Sequence, residues 1–210
     1  MYKMNLNNYH PQPKNSTIYT PPEVSEFIYE LLKDKIPKSR ASFSPAILDP
    51  CCGQSSLLKP WEKAKYYRTF GIDVDPNCWP GRALNKDFLQ LKTVRGLEIK
   101  QPHLILCNPP FNGYGNKLGS EVWLNKIIEL FGQDVPLVLF APMGFRLNSK
   151  KRGKRWTKFI NQVYPPISSI ISLPRDIFAG VEFHSEILIF NVKGLEPHYF
   201  FSLAKGETYE

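Results

Sequence analysis

The chain has 210 residues, 42% of them hydrophobic, which suits one sizeable folded domain and excludes wholesale disorder. Its formal net charge of +8 favours a polyanionic partner. No apolar run approaches the roughly 20 residues of a membrane span, and Cys51, Cys52, Cys78 and Cys107 lack the paired spacing of a metal site or disulfide framework. The N-terminus is polar and has no apolar signal core, so a reduced, cytoplasmic setting is expected.

Residues 1–16, rich in Asn and Pro, read as a flexible arm ahead of one domain over 17–210. "TPPEVSEFIYELLKDK" predicts a helix. Thr20 is placed to cap it, Pro21 suits the first helical position, and Glu23 completes a capping box. Val24, Phe27, Ile28, Leu31 and Leu32 follow at helical spacing. "AILD" is a short strand, followed by the loop "PCCGQSS", and "YYRTFGID" is the next strand, leading to a Pro-rich turn and a short helix. "HLILC" is a third strand. "SEVWLNKIIELFG" is a helix with Ser120 as its cap and Gly132 as its stop. "PLVLFAP" is a strand, "KRWTKFINQVY" a helix, and "ISSIISL" and "FHSEILIFNV" two further strands.

Short apolar strands alternating with helices predict an α/β fold with an open, mostly parallel sheet covered on both faces. Ligands of such sheets sit beyond the carboxyl ends of the strands. The unusual residues collect there. "LDPCCG" lets backbone approach a ligand at Gly53. Asp73 ends the second strand, where a carboxylate can accept both hydroxyls of a ribose. Asp87 beside Phe88 offers an acceptor and a ring face to an adenine, or is a loop residue next to a core Phe. "CNPPF" (107–111) stops an apolar strand with two prolines. An Asn oxygen and a rigidly held carbonyl can accept both hydrogens of a planar amine and draw it toward tetrahedral geometry, with Phe111 as a stacking surface.

These segments, in this order, resemble the class I S-adenosylmethionine-dependent methyltransferases that act on the N6 amine of adenine in DNA. "DPCCGQSSLL" is similar to the cofactor loop of the modification subunits of type I restriction systems. "YTPPEV" resembles the Thr-Pro segment ahead of that loop. The resemblance covers most of residues 19–192 and follows the gamma order, cofactor motifs before catalytic ones. It implies a three-layer, Rossmann-like fold with a seven-stranded sheet and S-adenosyl-L-methionine as cofactor. It further implies that Thr20 and Pro21 line the methionine end of that cofactor and that Asp49, Cys51 and Gly53 form its cradle. Asp73 would take the ribose, Asp87 the adenine amino group, and Phe88 the adenine ring. Asn108 and Pro109 would hold the target amine, with Pro110 rigidifying the turn. Phe111 would stack on the target base after it leaves the duplex, with Phe178 as a second wall. No metal is implied.

"SKKRGKRWTK" concentrates Lys150, Lys151, Arg152, Lys154, Arg155 and Lys158 beside Trp156, and reads either as a solvated loop or as a phosphate-contacting segment. Two departures from the resembled pattern stand out. Ser55 replaces the second glycine of the loop, at a cost of about 1–2 kcal/mol if that position needs positive φ. Nothing after residue 192 resembles a target-recognition domain, so a specificity subunit, a second copy or the basic segment would have to supply recognition. Alternatives are an RNA base methyltransferase acting on N2 of guanine or N6 of adenine, methylation of a protein glutamine amide, and a non-catalytic subunit of a modification complex.

Overall fold

The computed structural model describes residues 18–38, 44–79, 82–95, 97, 99–111, 118–147, 150–180 and 182–203. The expected arm, 1–16, lies outside them. In chain order the elements are α1 (Pro22–Leu32), β1 (Ala46–Asp49), α2 (Lys59–Lys63), β2 (Arg68–Asp73), β3 (Ala83–Asn85), a 3-10 turn (Phe88–Gln90) and β4 (Leu104–Cys107). Then follow α3 (Gly119–Phe131), β5 (Leu137–Pro142), α4 (Gly144–Leu147), α5 (Lys154–Ile160), β6 (Ile167–Ser172), β7 (Ser185–Phe190) and β8 (His198–Phe200).

The strands form one sheet of order β3-β2-β1-β4-β5-β7-β6-β8. β3, β2, β1, β4 and β5 are mutually parallel, and β7 runs antiparallel to both β5 and β6. The central strands are apolar throughout because both faces are covered. Ile47, Leu104, Leu106, Val138 and Phe140 pack on one face with Ile28 and Leu32 of α1 and Trp61 of α2. Leu48, Ile105, Cys107, Leu137 and Leu139, offset by one residue, pack on the other with Trp123, Leu124 and Ile127 of α3. The expected three-layer α/β architecture holds.

The sheet has eight strands rather than seven. β8 adds to the far edge by pairing with β6, and β3, which falls where a short helix was expected, forms the opposite edge against β2. Two caps also differ. The second proline holds Pro21 extended, at ψ 143, so α1 starts one residue late on Pro22 and has no side-chain cap. α3 begins at Gly119, and Ser120 is buried, its hydroxyl donating to the Phe140 carbonyl at 3.1 Å. Gly132 ends α3 as expected, with φ +85. α2 is only five residues long, with Pro60 in its first turn.

Candidate active site

The chain winds outward from β1 to β3 and returns to β4 beside β1, so the loops after β1 and β4 part and leave a crevice at their carboxyl ends. The β1–β4 register (Ile47 with Leu104, Leu48 with Ile105) brings the ends of those strands level. Cys51, in the first loop, and Cys107, the last residue of β4, meet with their sulfurs 3.8 Å apart.

The loop after β1 is held by backbone. Cys52 N–H donates to the Ile72 carbonyl at 3.0 Å, and Ser55 N–H to the Cys52 carbonyl at 2.7 Å. Gly53 has φ +48 and its N–H donates to Asp73 Oδ2 at 2.8 Å. A Cβ there would stand 3.0 Å from the Tyr19 ring, so the glycine lets that ring and the loop approach. Gly71 of β2 serves the loop from beneath, since a Cβ there would lie 2.6 Å from Cys52 Sγ and 2.7 Å from the Trp79 ring. Ser55 has φ +60, the left-handed conformation for which its replacement of glycine carries a cost.

Asp73 is half-buried. Its second oxygen accepts from Asp75 N–H at 3.0 Å, so the carboxylate is fixed by two backbone donors yet keeps lone pairs for further hydroxyl donors. Asp49 is 2% exposed and accepts from Cys51 N–H at 3.1 Å. Burial, with the neighbouring Asp73 charge, pushes its carboxyl up to about 7. Burial likewise pushes the Cys51 and Cys107 thiols up, so both are poor nucleophiles at neutral pH.

After β4, Asn108 is half-buried, Pro109 buried and Pro110 exposed. Asn108 Nδ2 donates to Thr20 Oγ at 3.0 Å, so the residue ahead of α1 reaches the turn. Phe111 is met edge-on by Phe183, their ring centres 5.2 Å apart at 82°. Phe183 in turn stacks on Phe178 at 5.4 Å and 6°. Phe178 is 1% exposed and lies behind Phe183 in the core, so Phe183 is the ring that faces Phe111. The only sequence signal for Phe183 was its place just ahead of β7. Phe183 reaches this rim because β7 runs backwards: its first residues, Ser185 and Glu186, pair with Pro142 and Ala141 at the end of β5. Glu186 is buried there under a two-pronged ion pair from Arg146, at 2.9 and 3.2 Å, which sequence reading did not single out.

Asp87 and Phe88 divide. The Asp87 carboxylate is exposed and caps the 3-10 turn by accepting from Leu89 N–H at 2.9 Å. Phe88 is 1% exposed with its face stacked on Trp123 at 5.4 Å and 5°, which is core packing rather than a ligand-facing ring.

The basic segment also divides. Lys150, Lys151, Arg152 and Lys154 are exposed, with Trp156 exposed beside them. Arg155 is turned inward. Its guanidinium donates to Glu121 at 2.9 Å and to the Gly144 and Phe145 carbonyls at 3.3 and 3.0 Å. Lys158 donates to the Tyr164 hydroxyl at 2.9 Å, and that hydroxyl donates to Glu121 at 3.1 Å. Burial raises the Glu121 carboxyl, but the Arg155 hydrogen bond and charge outweigh it and hold Glu121 below its ordinary value. Among the described residues no group of three or more His, Cys, Asp or Glu side chains is arranged to hold a metal ion, and no helix is long and apolar enough to cross a membrane.

The sequence profile of the N-6 DNA Methylase family matches residues 1–199. No curated protein matches the chain by sequence. Among solved structures, a protein from Listeria monocytogenes assigned to the class I S-adenosylmethionine-dependent methyltransferases superimposes with a TM-score of 0.63 at 18% identity, over 91% of this chain and 67% of that one. The type I restriction-modification methyltransferase subunit from Streptococcus thermophilus gives 0.62 at 17% identity, over 87% and 47%. The M protein of the type I restriction enzyme EcoKI gives 0.52 at 16%, over 84% and 44%. The chain thus spans less than half the length of either restriction-modification protein.

Proposed function

The chain belongs to the N-6 DNA Methylase family, and from that premise we propose that it methylates the exocyclic N6 amine of an adenine turned out of duplex DNA. The observation that carries this reading is the placement of Asn108-Pro109-Pro110-Phe111 at the end of β4, level with the Asp49–Ser55 loop across the crevice. S-adenosylmethionine, the cofactor of this family, supplies a methyl group made electrophilic by its sulfonium. The residues present suit it: a left-handed glycine where backbone must come close, and the Asp73 carboxylate, fixed with spare acceptor capacity, for the ribose hydroxyls.

An exocyclic amine is a weak nucleophile because its lone pair is delocalised into the ring. Asn108 Oδ1 and the Pro109 carbonyl accept its two hydrogens, which favours a tetrahedral nitrogen whose lone pair points into the crevice. The prolines hold that carbonyl in one place before the substrate arrives. Phe111 provides the stacking face and Phe183 the adjoining wall. Catalysis is positioning and polarisation, with no covalent enzyme intermediate. Asp49, Cys51 and Gly53 form the cradle, Thr20 and Pro21 close its near end, and Asp87 is the exposed acceptor at its far end. Lys150, Lys151, Arg152 and Lys154 contact phosphates, and a specificity subunit or a second copy selects the sequence.

Incubation with methyl-labelled S-adenosylmethionine and duplex DNA, followed by nucleoside analysis, is expected to yield N6-methyladenine. Label that enters stripped rRNA or tRNA but not DNA moves the substrate to RNA. Absence of both transfer and cofactor binding, with candidate partner subunits present, rejects the reading.

A further inference from the structure

Resting on the methyl-transfer reading above, we infer that Thr20 is a positioning residue for Asn108: its hydroxyl anchors the side-chain amide, which meets Thr20 with Nδ2 and leaves Oδ1 turned away for the substrate amine. An asparagine amide is nearly symmetric in shape but opposite in chemistry at its two ends. A half-turn about its last side-chain bond would offer the amine a second donor instead of an acceptor. The neighbouring prolines fix the backbone of the turn but leave the side chain to be held by its own contacts. The one side-chain partner of Asn108 among the described residues is Thr20, 88 positions earlier, with Asn108 Nδ2 donating to Thr20 Oγ at 3.0 Å. With Nδ2 held there, Oδ1 points away from Thr20.

Thr20 is built for this task rather than for the cap its sequence context suggested. It is 6% exposed, and α1 makes no side-chain cap with it. Pro22 holds Pro21 extended, at ψ 143, and Pro21 in turn disfavours helical backbone at Thr20, which fixes the approach to α1 before any ligand arrives. α1 is in turn anchored in the core by Val24, Ile28 and Leu32. The hydroxyl is therefore mounted on a rigid element, as a group that orients another must be.

The test compares Thr20→Val, which keeps the shape and removes the hydroxyl, with Thr20→Ser, which restores it. Thr20→Val is expected to lower kcat by about ten- to a hundredfold, the scale of a misplaced reacting group. Because Thr20 also closes the near end of the cofactor cradle, the rate is read at saturating S-adenosylmethionine, where weaker cofactor binding does not contribute. Thr20→Ser should recover most of the rate. In the 15N–1H correlation spectrum the Asn108 NH2 pair, identified by its absence from Asn108→Asp, should shift in Thr20→Val and return in Thr20→Ser. Unchanged kcat at saturating cofactor in Thr20→Val, or an Asn108 NH2 pair that ignores the substitution, would each overturn the inference. Should the wild-type protein methylate nothing, the methyl-transfer reading fails, and the amide spectrum still decides whether Thr20 holds Asn108.

Discussion

At the rim formed by β1, β2 and β4, acidic side chains meet backbone donors: Asp49 takes Cys51 N–H, and Asp73 takes Gly53 N–H and Asp75 N–H. On α5, side chains meet side chains: Arg155 and Lys158 converge with Tyr164 and Asn125 around Glu121. The two arrangements leave different things over. A carboxylate fixed by backbone donors retains lone pairs and can bind a ligand without being reorganised. A guanidinium that already holds a carboxylate and two carbonyls has little capacity left, and its charge is spent on joining α5 to α3. Asp73 at this rim is thus available for chemistry, whereas Arg155 and Lys158 on α5 are largely consumed by the fold.

The sharpest way to break this contrast is at Asn108. Asn108→Ala should cut kcat by about a hundred- to a thousandfold, the usual loss on removing one preorganised polarising group, while circular dichroism and cofactor binding stay near wild type. A variant that keeps its rate would remove the rim from the chemistry.

Asp49 gives the next largest effect. Its folded pKa, near 7, lies above the ordinary 3.8, so the folded state binds the extra proton between those values. Its contribution to stability is therefore present at acid pH and lost as pH rises from about 4 to 7, by a few kcal/mol at most. Asp49→Asn should abolish that slope in urea unfolding while keeping the acceptor for Cys51 N–H. Parallel pH profiles for the two proteins would show that Asp49 is not held protonated.

On α5, Arg155→Met should cost about 2 kcal/mol of stability, because the partly buried Glu121 loses its hydrogen-bonded guanidinium and keeps only Lys158, 3.6 Å away. The paired change Lys151→Ala with Arg152→Ala should leave the unfolding midpoint unchanged. It should weaken DNA binding and lower the slope of log affinity against log salt by about 2. Equal effects of the two variants on DNA binding would erase the division of this segment into spent and available charges.

The smallest effect is at the loop. Ser55→Gly should stabilise the protein by up to about 1 kcal/mol, because glycine adopts φ +60 without strain and its greater chain entropy offsets part of the gain. Destabilisation would mean that the buried serine side chain contributes more than its backbone costs.

Much of this was legible in the sequence because the signals are local. Apolar runs mark the central strands, Gly132 stops α3, and acidic, Gly and Asn-Pro-Pro residues punctuate the strand ends where the crevice lies. β3 and β8 were missed because three-residue edge strands carry too few positions to show a period, and a neighbouring strand supplies their pairing.

The amino-acid sequence by itself thus determined the α/β alternation and the set of polar residues at the carboxyl ends, since strand period, proline and glycine act through the backbone of adjacent residues. Only the tertiary structure decided which rings and charges face outward. It stacked Phe88 on Trp123, set Phe183 rather than Phe178 against Phe111, turned Arg155 onto Glu121, and joined Thr20 to Asn108. Each of those outcomes depends on a partner brought from far along the chain, and no local pattern encodes which side of a residue that partner will occupy.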